Sequence, residues 1–239
     1  MADWLEGAHI RPSGENAFVV EYGDVIDHAI GERVALLTNA LDTVALEGVV
    51  EVVPTFRSVL VIYDPDVTDE EAILAALPDS ADAPSAFGSA HFTVPVCLTG
   101  EAAEDLFEAA QELGLSEETM RERLLGATYT VGMYGFAPGF SYLSGVDPSL
   151  AIPRRRAPRP PMPAGSLIVA GGMAALTATS MPTGWYVVGQ TAITLFRPTE
   201  DPMVPFAVGD ALTFKEVSFD ELARLKDDVD GGTVRAHKA

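Results

Sequence analysis

Ser166–Phe196, SLIVAGGMAALTATSMPTGWYVVGQTAITLF, decides the fold class of the larger part of this chain. Its apolar runs, SLIVAG, MAALTATS, WYVVG and AITLF, are only a few residues long and are cut by Gly-Gly, Pro-Thr-Gly and Gly-Gln-Thr. Strand-length runs this closely spaced, rich in β-branched and aromatic residues and bounded by turn formers, belong to a β-barrel or sandwich rather than to helices. YTVGM before them (129–133) and PFAVGDALTF after them (205–214) extend the same pattern.

The N-terminal part reads differently. Ala17–Tyr22 alternates as a strand. From Ile26 to about Leu46, apolar residues fall at helical spacing, with Asp24 as a cap. Val49–Val53 and Val59–Tyr63 are strands, and Thr68 with Glu71 has the spacing of a capping box before a second helix. Strand, helix, strand, strand, helix is most of a split βαβ, ferredoxin-like unit. Residues 78–90, PDSADAPSAFGSA, read as a linker. After it come a strand at Phe92–Leu98 and helices at Glu101–Leu113 and Ser116–Leu125. A terminal helix at Phe219–Lys226 and a loose tail close the chain. The expected division is an α/β domain over 1–84, a β-barrel domain over 85–217, and a helix with tail over 218–239.

Composition sets the function classes. The 239 residues carry net charge −20 and pI about 4.3, which argues against binding nucleic acid or anionic membrane through bulk charge. Cys97 is the single cysteine; it lies in the apolar run VPVCL and reads as a buried thiol. MADWLEGAHI has neither a basic nor an apolar leader region, and no apolar run approaches membrane-spanning length, so the cytoplasm is the expected location.

Against that acidity one segment stands out. Thr128–Thr199 holds five arginines (154, 155, 156, 159, 197) and one acid, Asp147, so it is net +4 while the other residues carry −24. A basic island in an acidic chain is a candidate site for an anion. Arg154 and Arg159 are the candidate clamps, since guanidinium grips carboxylate or phosphate bidentately; surface pairing with acids elsewhere is the competing reading. In the loop GFAPGFSYL, Pro138 fixes φ, Gly139 permits positive φ, and Phe136, Phe140 and Tyr142 crowd together. Those aromatics either wall a ligand site or pack a rigid turn. Gly165-Ser166, Gly184-Trp185 and Gln190-Thr191 each sit beside a strand, as rim groups or tight turns.

Absences narrow the chemistry. Thr128–Thr199 has no His, Lys or Cys, and the lysines, 215, 226 and 238, are all C-terminal. There is no Gly-Lys-Ser/Thr phosphate loop and no metal-ligand spacing among the four histidines. An amidase of the Ser-Ser-Lys type needs a core lysine that this segment does not offer. Acid–base work by the segment alone would rest on Asp147 and tyrosines, so catalytic residues stay unassigned. The chain reads as half a site: it binds and orients, and another polypeptide supplies the reacting groups.

GFAPGFSYL, PRRRAPR, PAGSLIVAGG and PTGWYVVGQT, in that order, resemble the 5-oxoprolinase B-subunit family, also labelled allophanate hydrolase subunit 1 or carboxyltransferase subdomain C and D, which includes the sporulation-kinase inhibitor KipI. NAFVVEYGDVID, EVVPTFRSVLVIYDP and VGDALTF fit as well, so the likeness spans about residues 10–217. The resemblance implies an α+β chain, with a ferredoxin-like domain followed by a cyclophilin-like β-barrel. It implies a heteromer with homologues of the C and A subunits that uses ATP to open the lactam 5-oxoproline to glutamate; with only half a site, the single chain is expected to be inactive. Alternatives within it are a kinase-inhibiting module and a carboxyltransferase component of a urea-carboxylase-like system. A small carboxylate or lactam would be held by Phe136, Phe140, Tyr142, Arg154, Arg159, Gly165, Ser166, Gly184, Trp185, Gln190 and Thr191. This chain has Met-Pro-Thr-Gly-Trp (181–185) where the family usually has Ser-Pro-Gly-Gly-Trp. It has Gln190 where the family usually has arginine.

Overall fold

Period-two alternation drives the first sheet. Phe18 and Val20 of one strand and Val59 and Val61 of its neighbour all turn to one face, where Val34, Leu37, Leu41 and Ile73 of two helices cover them. Each such side chain withdrawn from water contributes roughly 1.5–3 kcal/mol. The computed structural model describes residues 5–78, 88, 90–231 and 237–238, and the chain divides into two compact units, Met1–Gly88 and Ser89–Ala239. Most of the linker expected over 78–90 and part of the expected tail lie outside the described residues.

The first unit runs β1 (His9–Pro12), β2 (Ala17–Glu21), α1 (His28–Val44), β3 (Val49–Pro54), β4 (Ser58–Tyr63), α2 (Glu70–Ala76). Its sheet is antiparallel throughout, in the order β1-β2-β4-β3. The fourth strand, beside β2, is therefore the N-terminal β1, which has no signature in the sequence. HIRP is an edge strand, largely exposed and ending in proline, so it carries no apolar alternation to read. Both caps differ from expectation by a few residues. Asp27, not Asp24, accepts from Ala29 N at 2.9 Å, and Asp69, not Thr68, accepts from Ala72 N at 2.8 Å.

The second unit holds β5 (His91–Val96), a 3₁₀ turn (Gly100–Ala103), α3 (Leu106–Glu112), α4 (Glu117–Gly126), β6 (Tyr129–Tyr134) and β7 (Ser141–Ser144). β8 (Arg159–Met162), β9 (Ser166–Ala170), β10 (Met173–Leu176), β11 (Met181–Thr183), β12 (Tyr186–Gln190), β13 (Ala211–Glu216), α5 (Phe219–Gly231) and β14 (His237–Lys238) follow. Eight strands form one sheet, β12-β9-β10-β7-β6-β13-β5-β14, in which only the β13–β5 pair is parallel. Just beyond β5, Cys97 N donates to Gln190 O at 2.8 Å and Gln190 N donates back at 3.0 Å. That bridge ties the end of β5 to β12 at the far edge, so the sheet curls round on itself. β8 and β11 make a separate two-stranded ribbon.

The sheet is apolar on both faces. Val94, Val131, Leu143, Leu167, Val169, Val188 and Leu212 fill the inside with Leu106, Met120 and Leu124 of α3 and α4. On the other face, Phe140, Ile168, Ala175, Trp185 and Val187 pack with Met162 from the ribbon. All five residues of β9 are consequently buried, which is why SLIVA reads as an unbroken apolar run. Two expectations for this unit need correction. AITLF (192–196) forms no strand: Ile193 and Leu195 enter the core, and Ile193 N is satisfied by Thr191 Oγ1 rather than by a ladder. The single helix expected over 101–113 is broken at Glu104–Asp105. α5 runs past Lys226 into the segment expected to be tail. No helix among the described residues is long and apolar enough to cross a membrane.

Candidate functional site

The β6–β7 turn is closed by its own backbone. Gly135 N donates to Phe140 O at 3.2 Å, Ala137 N to Gly135 O at 2.8 Å, and Phe140 N to Ala137 O at 3.0 Å. Gly139 has φ +71°, and a Cβ there would lie 2.7 Å from Leu195 O, so the position admits glycine alone. Phe136 is also left-handed, at φ 69°, which costs a non-glycine residue about 1–2 kcal/mol. The effect is to hold its ring 78 % exposed at the turn's tip.

From that tip an aromatic chain runs inward. Phe136 meets Phe140 at 5.6 Å between ring centroids, Phe140 meets Tyr142 at 4.8 Å, and Tyr142 meets Trp185 at 6.1 Å. Together with Arg154 and Gly184 they line a cleft of about 260 Å³ on the outer face of the sheet. Thr183 Oγ1 accepts from Trp185 N at 3.0 Å and fixes the turn that carries the indole. The Arg154 guanidinium lies 5.8 Å from the Trp185 ring centroid. Among the described residues it has no carboxylate partner. Burial raises the pKa of the Tyr142 hydroxyl and Arg154 partly opposes this, so the hydroxyl stays protonated as a donor beside the guanidinium. Six of the residues singled out in the sequence therefore converge in one place.

Arg159 and Arg155 are committed elsewhere. Arg159 is ion-paired with Glu104 and, at 2.7 Å, with Asp105; Arg155 reaches Glu108 at 2.6 Å and Asp105 at 3.3 Å. Asp105, 7 % exposed, also accepts from Val187 N at 2.8 Å. Arg159 thus secures the ribbon to the start of α3, and it does not line the aromatic cleft.

Gly165, Ser166, Gln190 and Thr191 form another group. Gly165 at φ +79° packs so closely on Thr191 O that a Cβ would come within 2.3 Å. Ser166 is fully buried, and its hydroxyl donates to Pro163 O at 2.7 Å. Thr191 N donates to Gly165 O at 2.8 Å. Gln190 Nε2 donates to Ala164 O at 2.8 Å, and its Oε1 accepts from Lys226 Nζ at 2.7 Å. Ser166 and Thr191 are turn-holding groups here, while Gln190 lines a second cleft with Lys226. Lys226 is the cleft residue that sequence reasoning missed. Its spacing one turn after Leu222 on an amphipathic helix was the available signal.

Asp147 is spent on capping. Its carboxylate accepts from Ser149 N at 2.8 Å and Ser149 Oγ at 2.5 Å, which lowers its pKa, and it faces an open groove with Arg123 rather than either cleft. Cys97 is fully buried. Among the described residues no group of three His, Cys, Asp or Glu side chains can hold a metal ion.

This architecture has relatives. The family described as "Carboxyltransferase domain, subdomain C and D" matches residues 8–206. The chain is 30 % identical over 226 residues to the 5-oxoprolinase B subunit of Bacillus subtilis (strain 168), covering 87 % of this chain and 92 % of that protein. It is 32 % identical over 204 residues to the 5-oxoprolinase B subunit of Escherichia coli O157:H7, covering 84 % and 92 %. Among solved structures, TTHA0988 superposes with a TM-score of 0.73 at 27 % identity, over 88 % of this chain but only 40 % of that longer one. Kluyveromyces lactis urea carboxylase shares the fold at 19 % identity, with a TM-score of 0.75 over 96 % of this chain and 23 % of that one. The chain belongs to the carboxyltransferase subdomain C and D family, in the branch of the 5-oxoprolinase B subunits.

Proposed function

We propose that this chain is the B-type component of a cytoplasmic, heteromeric, ATP-dependent lactam hydrolase that opens 5-oxoproline to glutamate. Homologues of the C and A subunits complete the complex, and the aromatic cleft of this chain receives the substrate. The observation that carries the reading is Arg154, an arginine with no carboxylate partner among the described residues, set against Trp185 in an acidic chain. A carboxylate docks bidentately on such a guanidinium. The apolar edge of a small ring then lies against Tyr142, Phe140 and Trp185, in contacts that add orientation to burial. The named relatives, matched over nearly their whole length, support the same substrate class.

The chain's own part is binding and orientation. Among the described residues neither a free carboxylate nor an imidazole lines the aromatic cleft, and on this reading the proton transfers and the use of ATP fall to the partner polypeptides. Held in place, the lactam is presented to those groups as a unimolecular partner, and alignment of this kind supplies several kcal/mol of rate enhancement. The test is to co-express the chain with both partner homologues and follow glutamate and ADP formation. Arg154→Ala is expected to lower turnover at least ~100-fold, as loss of a charge-assisted clamp implies, while the complex purifies intact. Turnover within about twofold of the parent would discard the assignment.

A second reading, a carboxyltransferase component acting with a separate biotin carrier, is favoured by the description of the family itself. Loss of activity on adding avidin would select it over the hydrolase.

A further inference from the structure

The last helix builds a second cleft, of about 280 Å³, that the aromatic site does not use. Phe219, Leu222 and Lys226 of α5 face Glu101, Pro163 and Gln190 across it. Gln190 is oriented from behind: its Nε2 is held by Ala164 O, which turns Oε1 towards the Lys226 ammonium. An ammonium has three donors and this amide takes one. Among the described residues no carboxylate pairs with Lys226, although the chain has 35 acids to 15 lysines and arginines. Burial lowers the Lys226 pKa, with Cys97 opposing; the charge is partly desolvated without a counter-ion.

The same lining carries an unmatched acid. Glu101 has no ion-pair partner among the described residues, whereas Glu104 beside it is taken by Arg159. The cleft thus presents one open cation, one open carboxylate, and an apolar wall from Phe219 and Leu222. A simple anion is repelled by Glu101 and a simple amine by Lys226; a molecule bearing both charges as substituents of one carbon satisfies both. We propose that this cleft binds a small α-amino acid, its carboxylate on Lys226 and its ammonium on Glu101. Lys226, Phe219 and Leu222 lie beyond residue 206, where the family match ends, while Glu101 and Gln190 lie within it. The site is independent of what the aromatic cleft binds.

The experiment is a titration of the full chain with glycine, L-alanine, acetate and methylamine, followed by backbone amide NMR shifts. Both amino acids are expected to move the amides of Glu101, Gln190 and Lys226 saturably. Acetate and methylamine each bind about tenfold more weakly or worse, as one lost charge-assisted contact implies. Lys226→Met removes the saturable shifts. Glu101→Gln weakens glycine about tenfold, to the level of acetate. Arg154→Ala leaves them unchanged, which separates this site from the aromatic one. The proposal is overturned if no amino acid gives saturable shifts, if acetate matches glycine in the parent chain, or if the Lys226→Met chain still binds.

Discussion

Phe136 occupies a left-handed backbone position that glycine would fill without strain. Strained positions of this kind cluster at ligand sites, and on the proposed function this ring is a substrate contact. Phe136→Gly is therefore expected to leave the unfolding free energy unchanged or raise it by up to about 1 kcal/mol, while weakening substrate use by the assembled complex. Chemical denaturation set against turnover reads both, and a destabilised chain would show that the ring is a packing element instead. Gly165 is the reverse case, since any side chain collides with Thr191 O. Gly165→Ala is expected to cost about 2–4 kcal/mol in the same denaturation assay. Three of the four arginines of the 154–159 run divide by partner: among the described residues Arg154 has no carboxylate partner, whereas Arg155 and Arg159 are held by acids of the 104–108 segment.

That segment shows how elements are joined. β12 is the edge of the curled sheet, and its outward backbone would be open to pairing with another chain. Asp105 covers it: its N donates to Val187 O at 2.9 Å and its carboxylate accepts from Val187 N. The helix expected over 101–113 breaks at this residue because its backbone and side chain serve the sheet. The same carboxylate anchors Arg159 of β8, so one buried acid ties α3, β12 and the ribbon together. Asp105→Ala leaves a buried guanidinium underpaired and an edge unsatisfied, and is expected to cost about 3–5 kcal/mol. Arg159→Met, which removes the paired cation, is expected to lower the thermal midpoint without changing turnover per folded complex. Loss of turnover at constant stability would return Arg159 to the binding site.

At the scale of the whole molecule the charge dominates. A net −20 sets up self-repulsion that salt screens. Raising NaCl from about 0.02 M to about 0.5 M is expected to raise the thermal midpoint by several degrees, since the Debye length falls well below the spacing of surface acids. A fall would mean that the ion pairs around Asp105 outweigh the repulsion. The basic island is muted by the fold, because neighbouring acids neutralise Arg155 and Arg159, while Arg154 lines the aromatic cleft with no carboxylate partner among the described residues.

What the sequence determined by itself was local. β2, β3, β4 and α1 were legible because their apolar spacing is dictated by one buried face, and the β9–β12 region because its short apolar runs are separated by turn residues. The aromatic half of the cleft was legible too: Phe136, Phe140 and Tyr142 lie within seven consecutive residues, at the β6–β7 turn and the start of β7, and Arg154 and Trp185 sit in other motifs of the same segment. Partnership across the chain was decided only by tertiary structure. Which arginine stays open depends on acids some fifty residues away. Lys226 reaches Gln190 across 36 residues, and β1 pairs at an edge where burial leaves no pattern to read. Periodicity records which side of an element is buried, but charge pairing and edge pairing depend on what the fold places opposite.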